Sequence, residues 1–128
     1  MSEPNSNELP IFMRWVSFMD WLTICTEKFP HTSRHTYAQR LVDLGLEIVA
    51  DIVAAKFSNK PAPVLKRVNL RLEQLRVFLR LSYNRKFLSH GAYETGSKEL
   101  VEIGRMLGGW RREVNQRGKK GQTNGPSE

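Results

Sequence analysis

The chain has 128 residues, of which 40% are hydrophobic and 26% are charged, the composition of one soluble globular domain. Its 20 Lys and Arg residues outnumber 13 Asp and Glu residues, and the net charge of +7 favours an anionic partner. A single cysteine, Cys25, excludes an internal disulfide framework and a cysteine-based zinc site. We therefore expect one intracellular domain with a single core.

Neither a secretory leader nor a membrane span is expected. The first ten residues are polar and carry Glu3 and Glu8, the wrong charge for a leader. The apolar stretch that follows is interrupted by Arg14 and Asp20, whereas a span needs about 20 mostly apolar residues. We expect no membrane partner.

Four apolar-periodic segments are predicted to be helices, at about residues 11–28, 32–57, 61–88 and 89–116. Phe29-Pro30 stops the first segment, and Thr32 or Ser33 is expected to cap the second. The prolines of segment 58–63 can occupy the first turn of the third helix. Residues 1–8 and the polar tail 118–128 are predicted to be disordered, on either side of a folded part at 9–117.

Apolar residues in the third and fourth segments recur at spacings of three and four, as in helix seams. Examples are Leu72, Leu75 and Leu79 in the third segment. Alternating strand patterns are not found. Long helices with short links predict an all-α, antiparallel up-down four-helix bundle.

The third helix carries a second apolar stripe, nearly opposite its core seam, formed by Leu70, Val77, Leu81 and Leu88. Scattered surface leucines are common, but four in register on an arginine-rich helix favour a contact surface. The second helix is also apolar on more than one side. We therefore expect a homo-oligomer whose interface includes these four residues.

The positive charge is concentrated in segments 66–86 and 105–120. On the third helix one flank of the core seam carries Arg67, Arg71 and Arg85, and the other carries Arg76 and Arg80. The last helix adds Arg105, Arg111, Arg112 and Arg117. These arginines predict binding of RNA or DNA through phosphate contacts. The alternative is a solvated surface whose arginines pair with the acidic second helix, at Asp43, Glu47 and Asp51.

Enzyme chemistry finds little support. No histidine follows a glutamate at the spacing used in di-iron bundles, and no phosphate-binding glycine loop occurs. Cys25 lies on an apolar helix, which is typical of a core thiol. Gly104, Gly108 and Gly109 fall inside a helix, where glycine favours close approach of a neighbouring helix. We expect no catalytic residues, metal or other cofactor.

Several motifs then occur in an order that resembles a known family. They are Phe29-Pro30, Thr36-Tyr37-Ala38-Gln39-Arg40, Leu72-Glu73-Gln74-Leu75-Arg76-Val77-Phe78-Leu79-Arg80-Leu81 and Glu102-Ile103-Gly104-Arg105-Met106-Leu107-Gly108-Gly109-Trp110. Together they resemble the accessory variability determinant (Avd) proteins of diversity-generating retroelements, over about residues 9–117.

The resemblance implies a barrel-like homopentamer of four-helix subunits without an active site. It also implies association with the retroelement's reverse transcriptase and with nucleic acid during mutagenic copying of template RNA into cDNA and retrohoming. By position in the shared motifs, Arg76 and Arg80 are the first residues expected on the basic partner-binding surface, followed by Arg105. A cytoplasmic location, in a bacterial or archaeal host or encoded by a phage, follows from the same resemblance.

Two other assignments remain open from the sequence. The related four-helix proteins encoded in 23S ribosomal RNA intervening sequences are similar bundles without a reverse transcriptase partner. A purely structural oligomer would have no nucleic-acid role and no salt-dependent binding.

Overall fold

The computed structural model describes the backbone of residues 9–124 and the side chains of residues 9–118. Four α-helices account for most of this range: α1 (Pro10–Glu27), α2 (Gln39–Phe57), α3 (Pro61–Asn84) and α4 (His90–Asn124). Residues 9–124 contain no β-strand, which confirms the all-α prediction. The segment 1–8, predicted to be disordered, lies outside the described residues, and so does 125–128.

Prolines mark the boundaries of the first half of the fold. Pro10 begins α1 and Pro61 begins α3, because a proline loses no helical hydrogen bond in the first turn. Between α1 and α2 the chain forms a 3₁₀ turn (His31–Ser33) and a π-helical turn (Arg34–Ala38). The predicted cap at Thr32 or Ser33 is therefore wrong for α2, and the Ser33 hydroxyl instead donates to the Pro30 carbonyl at 2.8 Å.

Helix α3 ends four residues earlier than the predicted Leu88, because a Schellman turn closes it. The amide of Phe87 donates to the carbonyl of Ser82 and that of Lys86 to Tyr83, both at 2.9 Å. Lys86 has a φ of 67°, the left-handed conformation that normally selects glycine. The helical period does not continue to Leu88, which is only 5% exposed and belongs to the core. Including Leu88 in the exposed stripe was wrong.

The core is one cluster to which all four helices contribute. Helices α1 and α3 each pack against both α2 and α4. Trp15 of α1 is fully buried, and its indole N–H donates to the carbonyl of Gly45 in α2 at 2.9 Å. The leucine seam of α3 is buried as predicted, at Leu65, Leu72, Leu75 and Leu79.

Helix α4 continues past Gly118, where the polar tail was expected to begin, and ends at Asn124. None of the helices described here is both long enough and apolar enough to cross a bilayer.

Replacing either of two glycines of α4 by alanine is expected to change the free energy of unfolding in opposite directions. A Cβ on Gly96 would lie 2.6 Å from Cη2 of Trp21 and 3.3 Å from Cδ2 of Leu79, whereas a Cβ on Gly108 would approach only Arg112, at 3.5 Å. We expect Gly96→Ala to lower the free energy of unfolding by about 1–2 kcal/mol through overpacking. Gly108→Ala should raise it by up to about 1 kcal/mol through helix propensity. Urea unfolding at one fixed protein concentration measures both, and equal shifts in the same direction would contradict this assignment.

Candidate nucleic-acid interface

The α2-facing flank of α3 is neutralised by acidic residues of α2. The guanidinium of Arg67 donates to Asp51 Oδ1 from Nη2 at 3.2 Å, and Arg71 donates from Nη1 to Asp51 Oδ2. Arg71 Nε also lies 3.3 Å from the carboxylate of Glu47. The Asp51 side chain is only 10% exposed, and burying a carboxylate without such partners would cost much free energy. Arg67 and Arg71 thus stabilise the contact between α2 and α3. Both form the ion pairs with the acidic second helix that the alternative interpretation of the sequence predicts.

On the opposite flank, Arg76 is built into the contact between α3 and α4. Its Nη2 donates to the backbone carbonyl of Leu100 at 3.0 Å. Gly104 makes room for this group, because a Cβ there would lie 2.6 Å from the same nitrogen. Nε is buried without a hydrogen-bond partner and lies 3.7 Å from the carboxylate of Glu73. Arg76 is therefore half-buried and held by the fold.

Four other cations on the α3–α4 side are available to a ligand, and we call them the basic face: Lys66, Arg80, Arg111 and Arg112. Lys66, Arg80 and Arg112 are exposed, and Arg111 is half-buried. Lys66 and Arg111 line a cleft between α3 and α4. Within the described part of the chain, none of the four forms a salt bridge. The positive charge of this face is consequently not compensated by the fold.

Of the three glycines predicted to admit a neighbouring helix, Gly104 does face α3, whereas Gly108 and Gly109 lie beside a guanidinium of their own helix. Gly104 lies under Arg76 of α3, and Gly108 and Gly109 lie beside Arg112 of α4 itself. Glycine at these positions leaves the helix surface open beside the arginines. The two guanidinium groups therefore lie close to the backbone of α4.

The remaining predicted arginines occupy other settings. Arg105 donates to Glu102 from Nε at 3.1 Å, and this hydrogen bond lowers the pKa of Glu102 and raises the pKa of Arg105. Arg117 pairs with Glu113 at 3.2 Å, and the guanidinium of Arg85 lies 5.9 Å from the ring centre of Phe87. Exposed pairs within one helix contribute little to stability, so a phosphate can replace the carboxylate at Arg105 or Arg117.

Three of the predicted interface residues are exposed on α3: Leu70 (57%), Val77 (55%) and Leu81 (41%). Helix α2 also exposes Leu46, Val53 and Phe57. Phe57 was missed by the sequence reasoning, although its spacing of seven and then four from Leu46 through Val53 is a helical stripe. The exposed apolar side chains of α2 and α3 form two stripes, the α2 stripe (Leu46, Val53, Phe57) and the α3 stripe (Leu70, Val77, Leu81).

The described residues contain no group of three or more His, Cys, Asp or Glu side chains placed to hold a metal ion. Cys25 is half-buried against the core, and burial raises the pKa of its thiol, while the charge of Lys28 opposes this shift. A protonated, partly buried thiol is a poor nucleophile.

A comparison with family models decides the family of the chain. The model described as bAvd-like matches residues 11–114. The chain belongs to the bAvd-like family. The resemblance to Avd proteins found in the sequence is confirmed, and the bAvd-like match contains the full length of α2 and α3 and all the motifs on which the resemblance rested. A search of curated proteins finds no match.

Arg71 and Arg80 are expected to respond differently to truncation, because only Arg71 has acidic partners. Arg71→Ala should lower the free energy of unfolding by about 1–2 kcal/mol, since Asp51 loses a charged hydrogen-bond donor. Arg80→Ala should change it by less than about 0.5 kcal/mol. Thermal or urea unfolding tests the pair, and an equal loss in both variants would show that Arg80 has a structural role as well.

Cys25 is expected to alkylate slowly in the folded protein. Its raised pKa keeps the thiol protonated near pH 8, and the core covers part of it. Iodoacetamide should therefore react more slowly with the folded chain than with the urea-unfolded chain at the same pH. Equal rates would contradict the placement of Cys25.

Proposed function

We propose that this chain is a non-catalytic accessory protein of a diversity-generating retroelement. In this role it binds the element's reverse transcriptase and nucleic acid, and it supports mutagenic cDNA synthesis and retrohoming. The bAvd-like family match favours this assignment over a ribosomal intervening-sequence protein. The observation that carries nucleic-acid binding is the uncompensated charge of the basic face.

The chemistry of the basic face suits phosphate groups. Arginine presents a planar fork of donors that matches phosphate oxygens, and such contacts give affinity without reading sequence. Arg67 and Arg71 already have carboxylate partners, so they are weaker candidates than Arg80 and Arg112. The nucleic acid therefore lies along the α3–α4 side of the subunit in this proposal.

We further propose an up-down antiparallel bundle. Contacts between α2 and α3 support it, because Glu47 meets Arg71 while the later Asp51 meets the earlier Arg67 as well as Arg71. Contacts of α4 support the same arrangement: Arg76 reaches Leu100, whereas Leu79, further along α3, lies beside the earlier Gly96.

The proposed assembly is a ring-like homo-oligomer, and the number of five subunits rests on the resemblance to Avd proteins. A closed ring uses two different surfaces on each subunit, one for each neighbour. The α2 stripe and the α3 stripe are two such surfaces. Every added subunit repeats the basic face, so assembly increases both the electrostatic field and the number of phosphate contacts.

The first test measures binding of the purified chain to a structured RNA and to a duplex DNA between 50 and 200 mM salt. Affinity should fall steeply with salt, because phosphate contacts release counterions. Arg80→Ala with Arg112→Ala removes two phosphate contacts from each subunit that touches the ligand, and should reduce the slope of log affinity against log salt for duplex DNA by about 2 for every such subunit. The matched control is Lys28→Ala with Arg34→Ala, which removes the same charge from two exposed cations outside the basic face that form no salt bridge in the described part of the chain.

Two outcomes would overturn parts of this proposal. If the wild-type chain does not bind at 50 mM salt, it lacks the nucleic-acid role. If sedimentation gives the mass of one chain at micromolar concentration, there is no ring. Co-purification with a retroelement reverse transcriptase, where the gene's neighbourhood encodes one, tests the protein partner separately.

A further inference from the structure

A cluster of three rings lies where α3 turns into α4, and we call it the ring cluster: Tyr83, His90 and Tyr93. The rings of Tyr83 and Tyr93 are stacked, with centres 4.4 Å apart and planes inclined by 7°. The His90 ring lies 5.9 Å from Tyr83, and its Nδ1 is 3.1 Å from the Tyr83 hydroxyl. The contact with the Tyr83 hydroxyl fixes the orientation of the imidazole.

The ring cluster is a surface feature. His90 is exposed, and Tyr83 and Tyr93 are half-buried. Tyr93 also packs against the core at this end, where Phe29 and Leu88 are buried and the Phe87 ring lies 5.5 Å from Phe29, so His90 is the most exposed member of the cluster. When the Tyr83 hydroxyl donates to Nδ1, the neutral imidazole carries its proton on Nε2, which is then a free donor.

Cations lie on both sides of Tyr83 in the chain. Arg80 is three residues before Tyr83 and therefore on the same side of α3. Arg85 and Lys86 follow in the turn, and both are exposed. Lys86 adopts a left-handed backbone conformation in this turn, which a glycine would adopt with less strain. The nearest acidic residue in sequence, Glu94, pairs with Lys98.

We infer that the ring cluster binds an unpaired base of a single-stranded nucleic acid, while Arg80 and Lys86 hold the neighbouring phosphates. Every base has a π-face, so stacking on an oriented ring accepts any sequence. A base inside a duplex is already stacked and cannot reach the cluster. The inference rests on the proposed nucleic-acid binding and adds a preference for single strands at this end of the basic face.

The test compares His90→Ala with wild type on three probes at one salt concentration: a mixed-sequence single-stranded RNA, a DNA of the same sequence, and the RNA duplex. Fluorescence anisotropy should show about a 10-fold loss for the single strands and less than about a 2-fold loss for the duplex. The matched control is His35→Ala, an exposed histidine outside the ring cluster, which should bind like wild type. Loss on both single strands supports the inference, because RNA and DNA bases stack alike. Loss on RNA alone overturns it, because it indicates a contact to the 2′-hydroxyl and no stacking on a base.

A second variant keeps the stack and tests the positioning of His90. Tyr83→Phe removes only the hydroxyl, so the rings remain and the imidazole loses its fixed orientation. We expect a smaller loss than in His90→Ala, again confined to single strands. This variant also keeps the test decisive if His90→Ala reduces helical content.

The outcomes separate this inference from the proposed function. The inference about the ring cluster is overturned if both variants bind single strands as tightly as wild type. If the Arg80→Ala, Arg112→Ala protein binds more weakly in the same experiment, the proposed role of the basic face stands. An equal loss on single strands and duplex also overturns it, since a structural defect would act on both. Absence of any binding by the wild-type chain overturns both proposals.

Discussion

The carboxylate of Asp51 decides which side of α3 is electropositive. It is nearly buried and receives donors from both Arg67 and Arg71, and Glu47 also pairs with Arg71, so two carboxylates of α2 compensate two cations of α3. A carboxylate in this position requires such partners, and the partners fix how α3 is rotated against α2. The opposite flank then has to face α4, where Arg76 is accommodated only because Gly104 has no side chain. The basic face is formed by cations of α3 and α4 that stay without a carboxylate partner among the described residues once these contacts are made.

The sequence predicts the helices and their core seams well, because a spacing of three and four residues is a local property of one helix. It does not predict which arginines are free. Arg67 and Arg80 look alike in the sequence, and only the register between α2 and α3 gives Asp51 to Arg67 and leaves Arg80 unpaired. The prediction that Leu88 is exposed is wrong for a different reason. It extends the helical period of α3 through the turn that Lys86 closes, where the usual glycine signal is missing.

The glycines of α4 show how one residue type serves different contacts along one helix. Gly96 lies against the rigid ring of Trp21 and keeps α1 and α4 close, while Gly104 admits a flexible arginine from α3. Gly108 has open space apart from Arg112. The sequence pattern marks all of them as helix interior, and it cannot separate packing against a ring from packing against a guanidinium. The distinction matters for function, because the arginines beside these glycines belong to the side of the subunit where the basic face lies.

Because Trp15 is buried, its fluorescence reports whether the subunit is folded. Its indole is shielded from water and donates to the Gly45 carbonyl, whereas Trp21 and Trp110 are only half-buried. Separation of α1 from α2 would expose this indole and shift its fluorescence emission to longer wavelength. Trp15 is enclosed in the core and belongs neither to the basic face nor to the ring cluster. A ligand bound at either surface therefore leaves the surroundings of Trp15 unchanged. The part of the intrinsic emission that comes from Trp15 thus follows the integrity of the subunit and not what its surface binds.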